Sequence, residues 1–368
     1  MPSLVRVALL GTAHPHIFHR YNFLASRADI RLIGYYEEDE EIAERMQGFA
    51  GCQRFSNLNE LLAADFDVAM IHGLDRDNGR YIMQAIGAGA KGIFLEKPGM
   101  GQPSEFLPIL NQIRLHETVF EVGWELHYTS SIAFARSVIR DNLLGIITTA
   151  RFHGGCPGGA GQEVWQSDPM SIGGFFYSLG GHTVETVIDL FGLPQMVSAS
   201  IRKLPRKESH TGFSWVPTVF SKPVRDPVVA VGSLYHEDIA SAILEYEHFN
   251  VNLDLTAWES NRYCEEWSID IYGTNGTLHL VPDPPSAILT LKESVGRWSH
   301  GTHNIFQRNQ PGASVLDEAF QRQMNSFFDR LAGREIPITP CHEDLVSQLS
   351  QLYIALYTSA KERSWQIP

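Results

Sequence analysis

Over the first 125 residues, short apolar runs alternate with amphipathic stretches, and this alternation narrows the fold more than any other feature of the chain. The strand-like runs are Val5–Leu10, Ile30–Tyr36, Phe66–Ile71, Gly92–Leu95 and Val119–Trp124. Between them, Ile17, Tyr21 and Leu24 recur four and three residues apart, the spacing of one helix face. Asn57 and Glu60 have capping-box spacing ahead of Leu61 and Leu62. Ser104 stands before the stripe Phe106, Ile109 and Leu110, where it would start another helix. Strands separated in this way run parallel and are joined by crossover helices, so an α/β domain is expected here.

Past about residue 150 the strands follow one another directly: Val229–Leu234, Ser241–Tyr246, Asn250–Ala257, Trp267–Tyr272 and Thr277–Val281. Gly273-Thr274-Asn275-Gly276 reads as a hairpin turn between the last two. Consecutive strands imply an antiparallel sheet, and helical patterns return at Ala319–Leu331 and Glu343–Lys361, so the second part is α+β. A length of 368 residues fits two or three domains at roughly 150 residues each.

Composition excludes some partners. With 42 acidic and 29 basic residues the formal charge is −13, leaving 15 histidines out of the count. A chain this acidic repels phosphate backbones, so nucleic acid is not expected as a partner. Cys52, Cys156, Cys264 and Cys341 stand singly, without a CxxC pair, which points to a reducing, cytoplasmic setting rather than a disulfide scaffold. No apolar run reaches 18 residues and the N-terminus has no secretory pattern, so no membrane association is expected.

Leu10-Gly11-Thr12-Ala13-His14-Pro15-His16 lies where the first strand gives way to a helix. The dinucleotide fingerprint G-x-G-x-x-G would fall here, but only Gly11 is kept, with Ala13 and His16 at the other two glycine positions. An ordinary tight turn would also fit. At the end of the second strand, Glu37 follows Tyr36 about where an adenosine ribose would lie; a carboxylate there accepts the ribose hydroxyls and repels a 2′-phosphate, favouring NAD over NADP. The same acidic run, Glu37–Glu41, also suits the positive end of a helix dipole.

Phe94-Leu95-Glu96-Lys97-Pro98, a strand ending in Glu-Lys-Pro after such a unit, resembles the glucose–fructose oxidoreductase / inositol dehydrogenase (Gfo/Idh/MocA) family. The resemblance runs on through Asn57–Ile71, through Gly173-Gly174 to His182, and through Phe191-Gly192-Leu193-Pro194, Gly273–Leu278 and Glu343–Trp365. It implies a Rossmann domain over residues 1–125. Residues 126–368 would form an α+β domain with a large, mostly antiparallel sheet, its C-terminal helix packing back on the first domain. It also implies NAD-dependent hydride transfer to or from a sugar, polyol or glycoside hydroxyl, and a homodimer or homotetramer built on the open face of the second sheet. Lys97 matches the family lysine that reaches the substrate hydroxyl, and His182 matches its proton-carrying histidine. Both are thus the expected catalytic residues. The cofactor would meet Gly11, Thr12, Ala13, His14, His16, Glu37, His72, Gly73, Leu74, Asn78, Glu96, Lys97 and Glu125. The substrate would meet Lys97, His127, His153, Trp165, Asp168, Ser178 and His182.

Several positions depart from the family pattern. Ser178 stands where an Asp usually precedes the histidine by four residues, a spacing that would set Ser178 and His182 on one helix face. Asn78 takes a usual histidine position after His72-Gly73-Leu74-Asp75. Glu125-Leu126-His127-Tyr128 replaces the usual Asn and Arg, so Glu125 either supplies the carboxylate that Ser178 lacks or serves as a structural acceptor for the backbone or His127. The run His153–Gly159 reads as a flexible rim, followed by Trp165 and Asp168. His14, His16, His19, His72, His127, His153 and His182 lie near loops, yet none has HExxH or paired-ligand spacing, so no metal is expected. Two other functions stay open. One is an NAD-dependent glycosidase working by transient oxidation and elimination. The other is a non-catalytic NAD-binding regulator, suggested by the altered glycine loop and the missing Asp.

Overall fold

The computed structural model describes residues 4–44, 46, 51–155, 174–205, 207–209, 229–231, 237–257, 267–306, 316–336 and 341–368. The elements of the first part are β1 (Val5–Thr12), α1 (Ile17–Ser26), β2 (Ile30–Tyr36), α2 (Glu40–Glu44), α3 (Leu58–Ala63), β3 (Val68–His72), α4 (Asp75–Gly87), β4 (Gly92–Leu95), α5 (Phe106–Leu115) and β5 (Val119–Val122). The five strands form one parallel sheet in the order β2-β1-β3-β4-β5. Period-two alternation divides its side chains between two faces. Val7, Leu9, Met70 and Phe94 pack against α1 and α2, whereas Ala8, Leu10, Ala69 and Leu95 pack against α3, α4 and α5. Asn57 caps α3 by accepting the Asn59 N–H at 2.8 Å. Ser104 does not start α5. A short 3-10 turn, Pro103–Glu105, leads into it, and the Gln102 N–H donates to the Glu105 carboxylate at 3.3 Å.

The second part continues with α6 (Ser130–Arg140), β6 (Ile147–Gly155), α7 (Phe175–Ser178), α8 (Gly181–Phe191), β7 (Met196–Arg202), β8 (Lys207–Ser209), β9 (Val229–Val231), β10 (Ile239–Glu245), β11 (Asn250–Thr256), β12 (Trp267–Gly273), β13 (Gly276–Val281), β14 (Ser286–Leu291) and β15 (Gly301–Phe306). Eight of these strands make one sheet, ordered β15-β14-β13-β12-β6-β11-β10-β7. All its pairings are antiparallel except β6 with β11. The Gly273–Gly276 turn joins β12 to β13 as expected. β9 is not part of the large sheet; it pairs with β8. His153–Gly155 belong to β6, held by β11 and β12, and are not loop. Burial alternates along β10 and β11, so one face of the sheet lies against helices and the other is open.

The chain then returns to the first sheet. α9 (Leu316–Leu331) covers the face that carries α1, with Phe327 edge-on to Phe94 at 5.6 Å. α10 (Glu343–Glu362) packs on α5 and on β7, and Leu345, Val346, Leu349, Leu352 and Leu356 join the core that spans both sheets. Among the described residues no helix is long and apolar enough to cross a membrane.

The first sheet reverses its strand order at β1 and β3, and ligands of such sheets bind at this point, beyond the carboxyl ends of the strands. Here the backbones of the two loops touch. A Cβ on Gly11, whose φ is +72°, would lie 2.4 Å from Gly73 Cα. Gly11→Ala should therefore destabilise the fold by about 1–3 kcal/mol. Gly87→Ala, where nothing lies within 4 Å, should stabilise by roughly 0.4–1 kcal/mol. Urea denaturation of the two variants checks both signs.

Candidate active site

Five chain segments meet at the carboxyl ends of β1, β3 and β4: the Gly11–His16 loop, His72, the Glu96-Lys97-Pro98 corner, the Glu125 turn after β5 and the start of α8. His14, His16, His72, Glu96, Lys97, Glu125 and His182 are all at least nine-tenths buried there. The Lys97–Pro98 bond is cis. Burying so many polar groups requires internal partners. Glu96 supplies several of them. Its Oε1 lies 2.9 Å from His16 Nδ1 and 3.9 Å from His14 Nδ1, and its Oε2 lies 3.7 Å from His72 Nε2 and 3.6 Å from Arg20 Nη2.

Arg20 was not singled out in the sequence, although it lies on the Ile17–Tyr21–Leu24 face, where a charge among apolar residues is the available signal. It is fully buried between the Phe94 and Phe320 rings, 4.6 and 4.4 Å from their centroids, and donates to Gln323 Oε1 at 2.7 Å. α9 thus braces the site from behind.

His182 opens α8. Its Nε2 stands 3.5 Å from Glu125 Oε1, and its ring meets Trp124 edge-on at 5.0 Å. Gly181 makes this approach feasible, since a Cβ there would fall 2.3 Å from Trp124 Cη2. Ser178 and His182 do not share one continuous helix. The chain breaks at Leu179–Gly180 between α7 and α8, and the Ser178 hydroxyl donates back to Gly174 O at 2.6 Å. Glu125 is instead the carboxylate beside His182. It also lies 3.9 Å from His16 Nδ1.

Electrostatics follow burial. Desolvation, then the neighbouring charges of Lys97 and other cations, holds His16 and His182 well below the usual histidine range. Desolvation, then His16 and Lys97, does the same to His14, and burial takes His72 down to about 3. All four are neutral at physiological pH. Burial, reinforced by the Glu96 charge, pushes the Glu125 carboxyl up to about 8.

The other expected residues are placed as follows. Glu37 ends β2 and accepts the Thr12 N–H at 2.6 Å, the Thr12 hydroxyl at 3.2 Å and the Asp39 N–H at 3.1 Å. Ala13 is buried in the loop and Leu74 precedes α4. Asn78 donates to Gly99 O at 2.9 Å. His127 is turned to a buried ion-pair cluster: its Nδ1 lies 2.7 Å from Glu185 Oε1 and 3.9 Å from Asp189, which Arg136 also holds at 2.6 Å. His153 lies on the open face of the second sheet beside Asp254, because its neighbours Phe152 and Gly154 take the buried positions of β6. Trp165 and Asp168 lie outside the described residues.

Residues 132–279 match the family model of the GFO/IDH/MocA C-terminal domain. The likeness to the Gfo/Idh/MocA family therefore lies between α6 and β13, which is less than half of the chain. An uncharacterised oxidoreductase of Schizosaccharomyces pombe is 24% identical over 214 residues, which span 55% of this chain and only 57% of that protein. Among solved structures, an oxidoreductase from Agrobacterium radiobacter, in complex with NAD+, L-tartaric acid and magnesium, has a TM-score of 0.75 at 15% identity, over 99% of this chain and 98% of its own. The WlbA dehydrogenase from Bordetella pertussis, in complex with NADH and UDP-GlcNAcA, has a TM-score of 0.74 at 16% identity, over 100% and 98%. At these identities the structural likeness carries the Gfo/Idh/MocA fold and not its chemistry.

The buried carboxyls make stability depend on pH. Glu125 and Glu237 both have folded pKa values raised from 4.5 to about 8. A raised folded value means extra protons bound in the native state, so stability is full below the unfolded pKa and is lost as pH rises through the folded one. The depressed histidines add stability as pH rises through their unfolded value near 6.5 and stop titrating in either state only by about pH 7.5. Between about pH 7.5 and pH 8 stability should therefore fall, and Glu125→Gln and Glu237→Gln should each flatten that fall. Thermal denaturation across this window measures it.

Proposed function

We propose that this chain is an NAD-dependent oxidoreductase that transfers a hydride between a sugar, polyol or glycoside hydroxyl and the nicotinamide. The observation that carries the reading is the convergence of Lys97 and His182, both buried, at the switch point of the parallel sheet. The residues fit a dinucleotide there. The Gly11 loop lies against Gly73 without side chains between them, and among the described residues His72, at the end of β3, and Asn78 Oδ1, in the first turn of α4, offer buried polar atoms without hydrogen-bond partners. Glu37 at the end of β2 favours NAD, since its carboxylate would repel a 2′-phosphate.

A bound NAD+ would supply the hydride acceptor for the carbon that bears the hydroxyl. The protein supplies the proton and charge handling. The Lys97 ammonium, buried where charge is poorly screened, stabilises negative charge developing on the substrate oxygen. Neutral His182 accepts the hydroxyl proton. Its Nε2 faces Glu125, and among the described residues its buried Nδ1 has no hydrogen-bond partner, so Nδ1 is the nitrogen we assign to the substrate. Glu125 takes the positioning role that Ser178, committed to Gly174, does not fill. The open face of the second sheet is read as the surface for homo-oligomer formation.

One observation favours a second reading, the glycosidase. A Glu125 carboxyl held protonated near neutral pH could act as general acid toward a glycosidic leaving group. A dehydrogenase accumulates NADH with its substrate, whereas a self-recycling glycosidase releases free sugar with no net NADH.

Lys97→Ala should leave NAD+ binding measurable by calorimetry and lower turnover by at least ~100-fold. Retained turnover would remove Lys97 from the mechanism. Glu37→Gln should narrow the preference for NAD over NADP in the same titration. A wild-type protein that bound NADP more tightly than NAD would contradict the role of Glu37.

A further inference from the structure

We propose that His14, His16 and Glu96 form a binding site for a first-row divalent transition-metal ion. The three residues come from two places in the chain, the loop after β1 and the end of β4, and β1-β3-β4 adjacency brings them together. One ligating atom from each lies within 4.8 Å of the other two. Metal–ligand bonds of about 2.0–2.2 Å would need only a small closure of that triangle. The His14 and His16 rings already meet edge-to-face at 4.4 Å, and all three side chains are buried, so their positions are set by the core.

The donor set decides the class of ion. Two imidazoles and one carboxylate, with further positions open to water or substrate, match catalytic zinc sites and non-haem Fe(II) sites. They do not match Mg2+ or Ca2+, which take oxygen shells. Nearby charge sets a limit on affinity. Arg20 Nη2 is 3.6 Å from Glu96 Oε2, and Lys97 acts electrostatically on both histidines. Arg20 approaches Oε2, while the histidines approach Oε1, so the carboxylate can serve both. On entry the ion replaces the His16 Nδ1–Glu96 Oε1 hydrogen bond, whose proton passes to the other ring nitrogen of His16, and it displaces the His16 N–H that His14 Nδ1 accepts at 3.2 Å.

This site does not depend on the dehydrogenase reading, and its test reads metal coordination rather than turnover. Metal-free full-length protein is titrated with Co2+. The expected result is a visible d–d absorption that saturates at one ion per chain and is displaced by Zn2+. His14→Ala and His16→Ala should each weaken binding by at least about 10-fold, since loss of a direct ligand costs no less than loss of its outer-shell support. His279→Ala, which removes a surface histidine paired with Asp270, should leave it unchanged. X-ray absorption of the zinc-loaded unmodified protein should report two imidazoles in the first shell, which keeps the test decisive if a variant fails to fold. No saturable Co2+ spectrum, binding indifferent to His14 and His16, or a shell without imidazole would each overturn the proposal.

Discussion

The Glu96 carboxylate organises the buried end of the first sheet. It lies at the exit of β4 and is 1% exposed. A charge buried this deeply is tolerated only with partners of opposite sign or strong hydrogen bonds. His16 supplies the short contact, and Arg20, His14 and His72 lie around it at 3.6–3.9 Å. Those partners pull in the next layer. Arg20 needs Gln323 and the Phe94 and Phe320 faces, which brings α9 across the sheet. Lys97 follows Glu96 in the chain and is buried by the same packing.

The departures from the family pattern fit this arrangement together. His16, at the last glycine position of the fingerprint, would be too large for a loop that only cradled phosphate. Here its ring fills the space between Glu96 and Glu125. Ser178 does not partner His182 in the expected way, because the helical hydrogen-bond register is interrupted across Leu179–Gly180 and the Ser178 hydroxyl is committed to Gly174 O. Glu125, from the turn after β5, arrives from the other side. The carboxylate lost from one element has a counterpart on another, at a place no spacing rule within a single helix could reveal.

The parallel sheet was legible because its strands are buried on both faces and read as unbroken apolar runs. Ile30–Tyr36 and Gly92–Leu95 even keep their expected bounds. β6, β7, β14 and β15 were not read. Ile147–Gly155 carries Arg151, His153 and two glycines, and Met196–Arg202 carries two serines. Strands with one open face and small or charged residues on it have little apolar signal. Lys97, His182 and the Gly11 loop were identifiable from motifs. The convergence of His14, His16 and Glu96 was not, because ligand spacing along the chain reports a site only when one element carries it. His127 and His153 were legible as polar residues near the site in sequence, but a buried acidic cluster claims the first and strand alternation turns the second outward.

A crystal structure of the protein grown with NAD+ tests the central claim most directly. The account predicts the dinucleotide across the ends of β1 and β3, its ribose at Glu37 and its nicotinamide between Lys97 and His182. A dinucleotide bound elsewhere, or a nicotinamide with no contact to either residue, would contradict it.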